Sequence, residues 1–240
     1  MLTLATKFIP IRTSFETTVE SGFQAAEFWL DPAVLAKADD VSKLASEFPL
    51  RYALHFPNSG PITDETLRST IALYEGVNAT ATVIHQPMFD RYGKALLELA
   101  PDLDLAIENH VLNLDQFDRW ADQSPGLTLD VEHLWKFTLH DAPFSTLLEH
   151  LDRFLNRSAG KLQHVHLPGY LPGQDEHQPI HFNEQLASEV ITRLAAHGFS
   201  KLVVSELAAE FQTLEYLQRD VQMFDRWRAT ANLPAPTTTI

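Results

Sequence analysis

Short apolar runs alternate with amphipathic helical stretches along nearly the whole chain. Apolar runs of this length between helical patterns are typical of buried parallel strands. The alternation predicts eight strand–helix units, with the first two strands near 2–5 and 23–30. The other six strands are predicted to end on a histidine or a carboxylate, at His55, His85, Glu108, Asp130, His166 and Glu206. The predicted helices cover 14–21, 33–47, 63–78, a stretch through 97, 114–122, 145–156, 183–197 and 210–230.

The regular alternation favours a closed barrel over an open sheet. A chain of 240 residues matches a (β/α)8 barrel at its compact end. No glycine-rich phosphate-binding motif follows the first strand, which argues against a dinucleotide-binding sheet. We therefore expect one α/β domain, a (β/α)8 barrel over residues 1–232, followed by a flexible tail over 233–240.

Composition narrows the chemistry that such a barrel can perform. The chain has no cysteine, so any bound metal must be held by nitrogen and oxygen atoms. A net charge of −14 repels a phosphate backbone and argues against nucleic acid as a partner. The sequence has no apolar stretch near the ~20 residues of a membrane helix and no signal-peptide pattern at its start. We expect a cytoplasmic protein that does not enter a membrane.

The strand ends define a candidate metal site, because the carboxyl ends of parallel barrel strands converge. Two loop motifs enlarge the set. His133 follows Asp130 by about one turn, and Asp175 and His177 lie in the loop after the seventh strand. A mixture of histidines and carboxylates suits zinc, manganese, iron or cobalt better than calcium or magnesium. The candidate metal ligands are His55, His85, Glu108, Asp130, His133, His166, Asp175, His177 and Glu206.

Nine ligands are too many for one ion, so two arrangements remain open. Two or three ions could share bridging carboxylates and use all nine residues, which suits attack on phosphorus. One ion could instead lie between two carboxylates, which suits removal of a proton beside a carbonyl group. That single ion would use Glu108, Asp130, His166 and Glu206.

Other residues are candidates for roles around the ions. Glu27 lies inside an apolar strand, where a carboxylate either lines the site or pairs with a buried base. We expect His164 to support the site from outside the ligand set. Glu27, Trp29, Trp135 and Lys136 are the candidate substrate contacts. The remaining histidines are expected on the surface or in loops, namely His110, His140, His150, His181 and His197.

In their order and placement these motifs resemble those of the xylose-isomerase-like TIM barrels. That group includes sugar isomerases and epimerases, related dehydratases and nucleases of the endonuclease IV type. The resemblance covers nearly the whole chain. It rests on His55-Phe56-Pro57, His85-Gln86-Pro87, Ile107-Glu108-Asn109, Asp130-Val131-Glu132-His133, His164-Val165-His166-Leu167, Asp175-Glu176-His177-Gln178-Pro179 and Ser205-Glu206.

The resemblance to the epimerase-like members implies one divalent ion, bound by Glu108, Asp130, His166 and Glu206. It also implies that Glu108 and Glu206 exchange the substrate proton. Ketohexose epimerases carry a glutamate and an arginine where this chain has Leu114 and Pro172.

The resemblance to the nuclease members implies that all nine positions bind three zinc ions. Those nucleases carry an aromatic residue and a glycine where this chain has Asn58 and Met88. The ligand set is therefore similar to that of the nucleases, and the DNA-binding surface is not.

The sequence as a whole predicts a metal-dependent sugar or sugar-phosphate isomerase or epimerase. We expect one to three divalent ions, zinc or manganese, and a small polyhydroxy carbonyl substrate. Catalysis would pass through an enediolate stabilised by the metal. A phosphoesterase of the endonuclease IV type with two or three ions is the alternative hypothesis, and a metal-binding barrel without catalysis is the second.

Overall fold

Eight parallel strands form a closed barrel in which each strand pairs with its sequence neighbours and β1 pairs with β8. The computed structural model describes residues 2–174 and 177–231. The strands are β1 Thr3–Phe8, β2 Ala25–Trp29, β3 Arg51–His55, β4 Thr82–His85, β5 Leu105–Glu108, β6 Leu127–Asp130, β7 Leu162–His166 and β8 Leu202–Ser205.

Helices separate the strands and surround the barrel, which confirms the predicted (β/α)8 fold. They are α1 Arg12–Ser21, α2 Pro32–Leu35, α3 Ala38–Ala45, α4 Asp64–Gly76, α5 Gln86–Leu99, α6 Leu114–Gln123, α7 Val131–His133, α8 Phe144–Ser158, α9 Glu184–Ala196 and α10 Leu214–Thr230. Short 3-10 segments cover Ala159–Lys161, Ile180–Asn183 and Ala209–Phe211, and a π-helix covers Leu134–Thr138.

The predicted strand ends agree with the structure at five of the six functional positions. The sixth strand end is displaced by one residue, because β8 ends at Ser205 and Glu206 follows it. The first strand is longer than predicted and continues to Phe8 instead of stopping at Ala5. Lys7 is therefore a strand residue, and its side chain becomes part of the site.

The helix predicted over 33–47 is two helices, α2 and α3. Asp31 caps α2 by accepting a hydrogen bond from the Val34 amide, and Pro32 occupies the first helical position. The chain leaves helical geometry at Lys37 (φ −122°, ψ 28°) before α3 begins. The acidic residues of the first turn of α3 favour a new helix start there.

Burial follows the layers of the fold. Side chains between the strands and the helices form the main apolar core, and small residues such as Ala5, Ala25 and Ala53 fill part of the barrel. Phe15 of α1 is fully buried against four aromatic rings. Within the described ranges, every helix is too short or too polar to cross a bilayer. The predicted tail over 233–240 and the candidate ligand Asp175 lie outside the described residues.

Candidate metal centre

The predicted ligands on the strands meet at the carboxyl-terminal mouth of the barrel. The register places His85 beside Glu108 and Asp130 beside His166, so these side chains leave neighbouring strands at matching levels. Glu206 comes directly after β8 and completes the ring, with its Oε2 atom 2.9 Å from His166 Nδ1. Parallel strands that share one end bring residues from distant parts of the chain within contact distance.

Glu108 lies at the centre of this ring and is almost fully buried. Its Oε2 atom is 3.2 Å from His55 Nε2, 3.3 Å from His85 Nε2 and 3.6 Å from His166 Nδ1. Its Oε1 atom is 3.4 Å from His133 Nδ1. Ligand atoms about 2 Å from a tetrahedral zinc ion lie roughly 3.3 Å apart. The spacing around Glu108 is therefore the spacing of ligands around a small cation.

Two groups of potential ligand atoms share Glu108. Within each group all ligand atoms lie within 4.8 Å of one another. One group is His55, His85 and Glu108, and the other is Glu108, Asp130 and His166. A carboxylate common to two groups can bridge two ions. These two groups of described residues could thus bind one ion or two.

Two of the histidines have one ring nitrogen held by an acceptor, which leaves the other nitrogen for the site. The Nδ1–H group of His55 donates to the Phe56 carbonyl at 3.0 Å. In His133 the Nδ1 atom lies 2.9 Å from the Asn109 carbonyl and also faces Glu108. His166 points its Nε2 atom at Glu27, 3.0 Å away. Metal-binding histidines commonly bond to an acceptor in this way, because the bond fixes the tautomer and the ring orientation.

Burial and neighbouring charges shift the pKa values of the candidate ligands in different directions. Burial and the charge of Lys7 lower the pKa of His55 to about 4, so its Nε2 carries no proton toward Glu108 at neutral pH. Burial and the neighbouring charges of Glu108 and Glu206 raise the pKa of Asp130. Burial alone would lower the pKa of His133, but Asp130 and Glu108 raise it to about 10.

Several buried polar atoms in the site lack a hydrogen-bond partner among the described residues. His166 Nδ1 and Glu206 Oε2 are such a pair, because they lie 2.9 Å apart without hydrogen-bond geometry. Such atoms carry an energetic penalty unless something satisfies them. A divalent cation would satisfy both atoms, so the residues present fit a metal with nitrogen and oxygen ligands.

Lys7 is a component of the site that the sequence analysis missed. Its ammonium group lies 2.6 Å from Glu206 Oε1 and 3.4 Å from Glu27 Oε1, and its side chain is 8% exposed. Burial alone would lower the pKa of Lys7, but Glu206 and Glu27 raise it above its usual value. The missed signal is a lysine within the apolar run 2–9, the same signal that identified Glu27. The register pairs these two residues.

A cavity of about 420 Å³ opens above the ligands. Drug-sized and smaller ligands are commonly bound in cavities of this size. Its lining includes Lys7, Trp29, Asn58, His85, Glu108, His110, His133, His177, Glu206 and Gln212. His177 lies at the rim, where its Nε2 atom is 3.6 Å from Glu206 Oε1 and its backbone amide donates to Glu132.

The four candidate substrate contacts have different positions. Trp29 lines the cavity and is 45% exposed. Glu27 lies below the cavity, fully buried between Lys7 and the two histidines of β7. Trp135 and Lys136 do not line the cavity. The Trp135 indole donates to the Ala142 carbonyl, and Lys136 lies over the rings of Phe137 and Tyr170.

Two histidines expected on the surface or in loops have other surroundings. His110 lines the cavity, with its ring centroid 4.5 Å from that of His85 and 5.3 Å from that of His133. His181 is 10% exposed, and its Nδ1 atom is 2.5 Å from the buried carboxylate of Asp220. His110 does lie in a loop, as predicted, but its ring faces the cavity. His181 lies in the 3-10 segment Ile180–Asn183 and contacts α10, so the prediction of a surface or loop position was wrong for this residue. His164 contacts Glu27 at 2.6 Å, outside the predicted ligand set.

Comparisons with known proteins support the fold. No family model matches the sequence, and no curated protein matches it. A D-tagatose 3-epimerase-like protein has a similar structure, with a TM-score of 0.64, 15% identity and coverage of 96% of this chain and 98% of that one. D-allulose 3-epimerase from Methylomonas sp. in complex with D-allulose gives a TM-score of 0.62 at 12% identity, with coverage of 94% and 96%.

A nuclease structure is similar to nearly the same degree. Endonuclease IV from Thermus thermophilus gives a TM-score of 0.61 at 16% identity, with coverage of 95% of this chain and 99% of that one. The resemblance to the xylose-isomerase-like TIM barrels is thus confirmed for the fold. Epimerases and a nuclease share this fold, so the choice of reaction depends on the site itself.

Proposed function

We propose that the protein is a divalent-metal-dependent isomerase or epimerase acting on a small polyhydroxy carbonyl compound. The observation that carries this proposal is that Glu108 and Glu206 face the same cavity and lie close to the same ligand nitrogen. Both line the same cavity, and both approach His166 Nδ1, at 3.6 Å and 2.9 Å. Two carboxylates beside one ligand nitrogen, both facing the cavity, suit proton transfer to and from a substrate bound there.

One ion held by Glu108, Asp130, His166 and Glu206 would stabilise the negative charge on the substrate oxygens as a carbon-bound proton leaves. Glu206 would accept that proton. Burial alone would raise its pKa, but Lys7 and His166 lower it well below the usual value, so the carboxylate is charged at neutral pH. Glu108 would return a proton from the other side.

The cavity lining supports a substrate without a phosphate group. Lys7 is the only lysine or arginine in the described lining, and its ammonium group is already paired with Glu206. Trp29, at the rim, offers an apolar face against which the carbon-bound hydrogens of a sugar could pack. A phosphorylated sugar would find no unpaired arginine or lysine among these lining residues.

A second candidate function is hydrolysis of a phosphoester by two or three ions. The observation that favours it is the group of His55, His85 and Glu108, which could hold another ion beside the first and share Glu108 with it. Two neighbouring ions would favour in-line attack on phosphorus. The net charge of −14 favours a small phosphoester over a nucleic acid as substrate.

Metal analysis of the purified, zinc- or manganese-loaded protein distinguishes these candidates. One ion per chain supports the isomerase, and two or three ions with hydrolysis of model phosphoesters support the phosphoesterase. Incubation with unphosphorylated ketoses in deuterated water should place deuterium on the carbon beside the carbonyl group. Metal binding without exchange or hydrolysis across broad substrate panels would favour the non-catalytic barrel.

Variants of two glutamates provide a matched comparison. Glu108→Gln should abolish deuterium incorporation and weaken metal binding, because it removes the central charge of the site. Glu16→Gln makes the same chemical change on an exposed face of α1 and should leave both measurements unchanged. Exchange that persists in Glu108→Gln would exclude this glutamate from the reaction.

A further inference from the structure

Beneath the candidate ligands lies a buried carboxylate that neither proposed reaction uses directly. Glu27 of β2 is fully buried, and its Oε2 atom is 3.0 Å from His166 Nε2 and 2.6 Å from His164 Nε2. Its Oε1 atom is 3.4 Å from the Lys7 ammonium group. Burying a charge is costly, so a fully buried carboxylate in these surroundings indicates a specific role.

The position of Glu27 determines which nitrogen of His166 can bind a metal. An ionised carboxylate only accepts hydrogen bonds, so the proton between Glu27 and His166 belongs to Nε2. In a neutral imidazole the other nitrogen, Nδ1, then carries a lone pair. That atom faces Glu206, Glu108 and Asp130, at 2.9, 3.6 and 3.8 Å from their nearest oxygens.

We propose that Glu27 is a positioning residue that fixes His166 as an Nδ1 ligand, with Lys7 balancing the charge of Glu27. The inference rests on the metal site of the proposed function and adds a residue that touches neither ion nor substrate. Lys7 also contacts the candidate ligand Glu206, so one cation links the supporting carboxylate to a carboxylate of the site.

The same atoms allow a competing explanation, an ion held by Glu27, His164 and His166 themselves. The hydrogen bond between His166 and Glu27 opposes it. His166 would have to lose the Nε2 proton that this 3.0 Å hydrogen bond requires. The positioning role keeps that proton in place.

Metal affinity of full-length variants tests the proposal. Glu27→Gln should weaken zinc binding about 10–100-fold, as loss of a supporting partner typically does. His164→Gln addresses the competing explanation, because it removes one ligand of that alternative ion and keeps Glu27 and His166. It should bind the same number of zinc ions as the wild-type protein. Glu16→Gln is the matched control, because it makes the same chemical change as Glu27→Gln on the exposed face of α1, and it should keep the wild-type zinc affinity.

Unchanged zinc affinity in Glu27→Gln would overturn the proposal, and so would loss of one ion in His164→Gln. A second measurement needs no variant and therefore does not depend on whether Glu27→Gln folds. In long-range proton–nitrogen NMR spectra of the zinc-loaded wild-type protein, the His166 hydrogen should be on Nε2. A hydrogen on Nδ1 contradicts the inference. Failure of the wild-type protein to bind zinc or manganese would instead contradict the proposed function.

Discussion

Replacing Lys7 by methionine should destabilise the metal-free protein and increase the stabilisation that metal provides. The ammonium group contacts Glu206 at 2.6 Å and Glu27 at 3.4 Å, and all three side chains are nearly or fully buried. Methionine fills much of the same volume without the charge. The substitution therefore removes a positive charge from beside two buried carboxylates.

The magnitude follows from the burial of these groups. Removing one partner of a buried ion pair costs about 3–5 kcal/mol. In a chain of this size, such a loss lowers the melting temperature by roughly 6–20 °C. A bound divalent ion would supply part of the missing attraction and would no longer be repelled by Lys7. If metal binding tightens tenfold, the metal-loaded variant regains about 1.4 kcal/mol.

The dependence on pH has a defined sign. Lys7 helps to lower the pKa of Glu27 and of Glu206 in the folded protein below the usual 4.5. This stabilisation is fully present above pH 4.5 and is lost as pH falls through the lowered values. The difference between the wild-type protein and Lys7→Met should therefore be largest at neutral pH and shrink in acid.

Urea unfolding in the presence of a chelator, and again with excess zinc or manganese, measures both effects. Lys94→Met is the matched control, because this exposed lysine lies 3.6 Å from Glu98 on a helix surface. It should change stability by no more than about 0.5 kcal/mol. Equal stability of the two metal-free variants, or equal gains on adding metal, would refute the electrostatic role assigned to Lys7.

Three further predictions concern other parts of the molecule. Zinc affinity should rise with pH toward about 10. His133 has its pKa raised to about 10, and its positive charge lies 3.4 Å from the candidate ligand Glu108, where it would repel a metal ion. Calorimetry in buffers of different ionisation enthalpy should detect the proton released when metal binds. Phe15→Ala should lower the free energy of unfolding in urea by about 3–5 kcal/mol. It should leave metal stoichiometry unchanged, because this fully buried ring packs on four others in an apolar cluster that contains no candidate ligand. Gly169→Ala should lower the free energy of unfolding by more than about 1 kcal/mol and weaken metal binding. A Cβ atom at this position would lie 1.8 Å from the Pro179 carbonyl oxygen and would disturb the loop that carries His177. Wild-type metal affinity in this variant would contradict the argument.

The sequence pattern predicted the barrel and most strand ends because these depend on local regularities. An apolar run between two helical stretches identifies a buried strand wherever it occurs in the chain. The last residue of each run could then be assigned to one end of the barrel. That reasoning placed His55, His85, Glu108, Asp130 and His166 correctly at strand ends. The cytoplasmic location and the roles of these residues stay predictions.

Other parts of the site could not be predicted, because the sequence pattern does not define where a strand ends or how a loop turns. Ending the first strand at Ala5 excluded Lys7, although the strand continues to Phe8. His110 was assigned to the surface or a loop, without a role in the site, because a residue beyond a strand end has no periodic pattern to show its direction. The loop conformation turns its ring onto His85.

The sequence by itself determined that a parallel barrel would carry histidines and carboxylates at one mouth. Only the tertiary structure decided how they meet. Glu108 is shared by two groups of ligand atoms, and Glu27, 139 residues away in the chain from His166, supports that histidine from below. The physical reason is that strand periodicity and composition are local properties. Distances between side chains on different strands depend on the register with which the closed barrel brings those strands together.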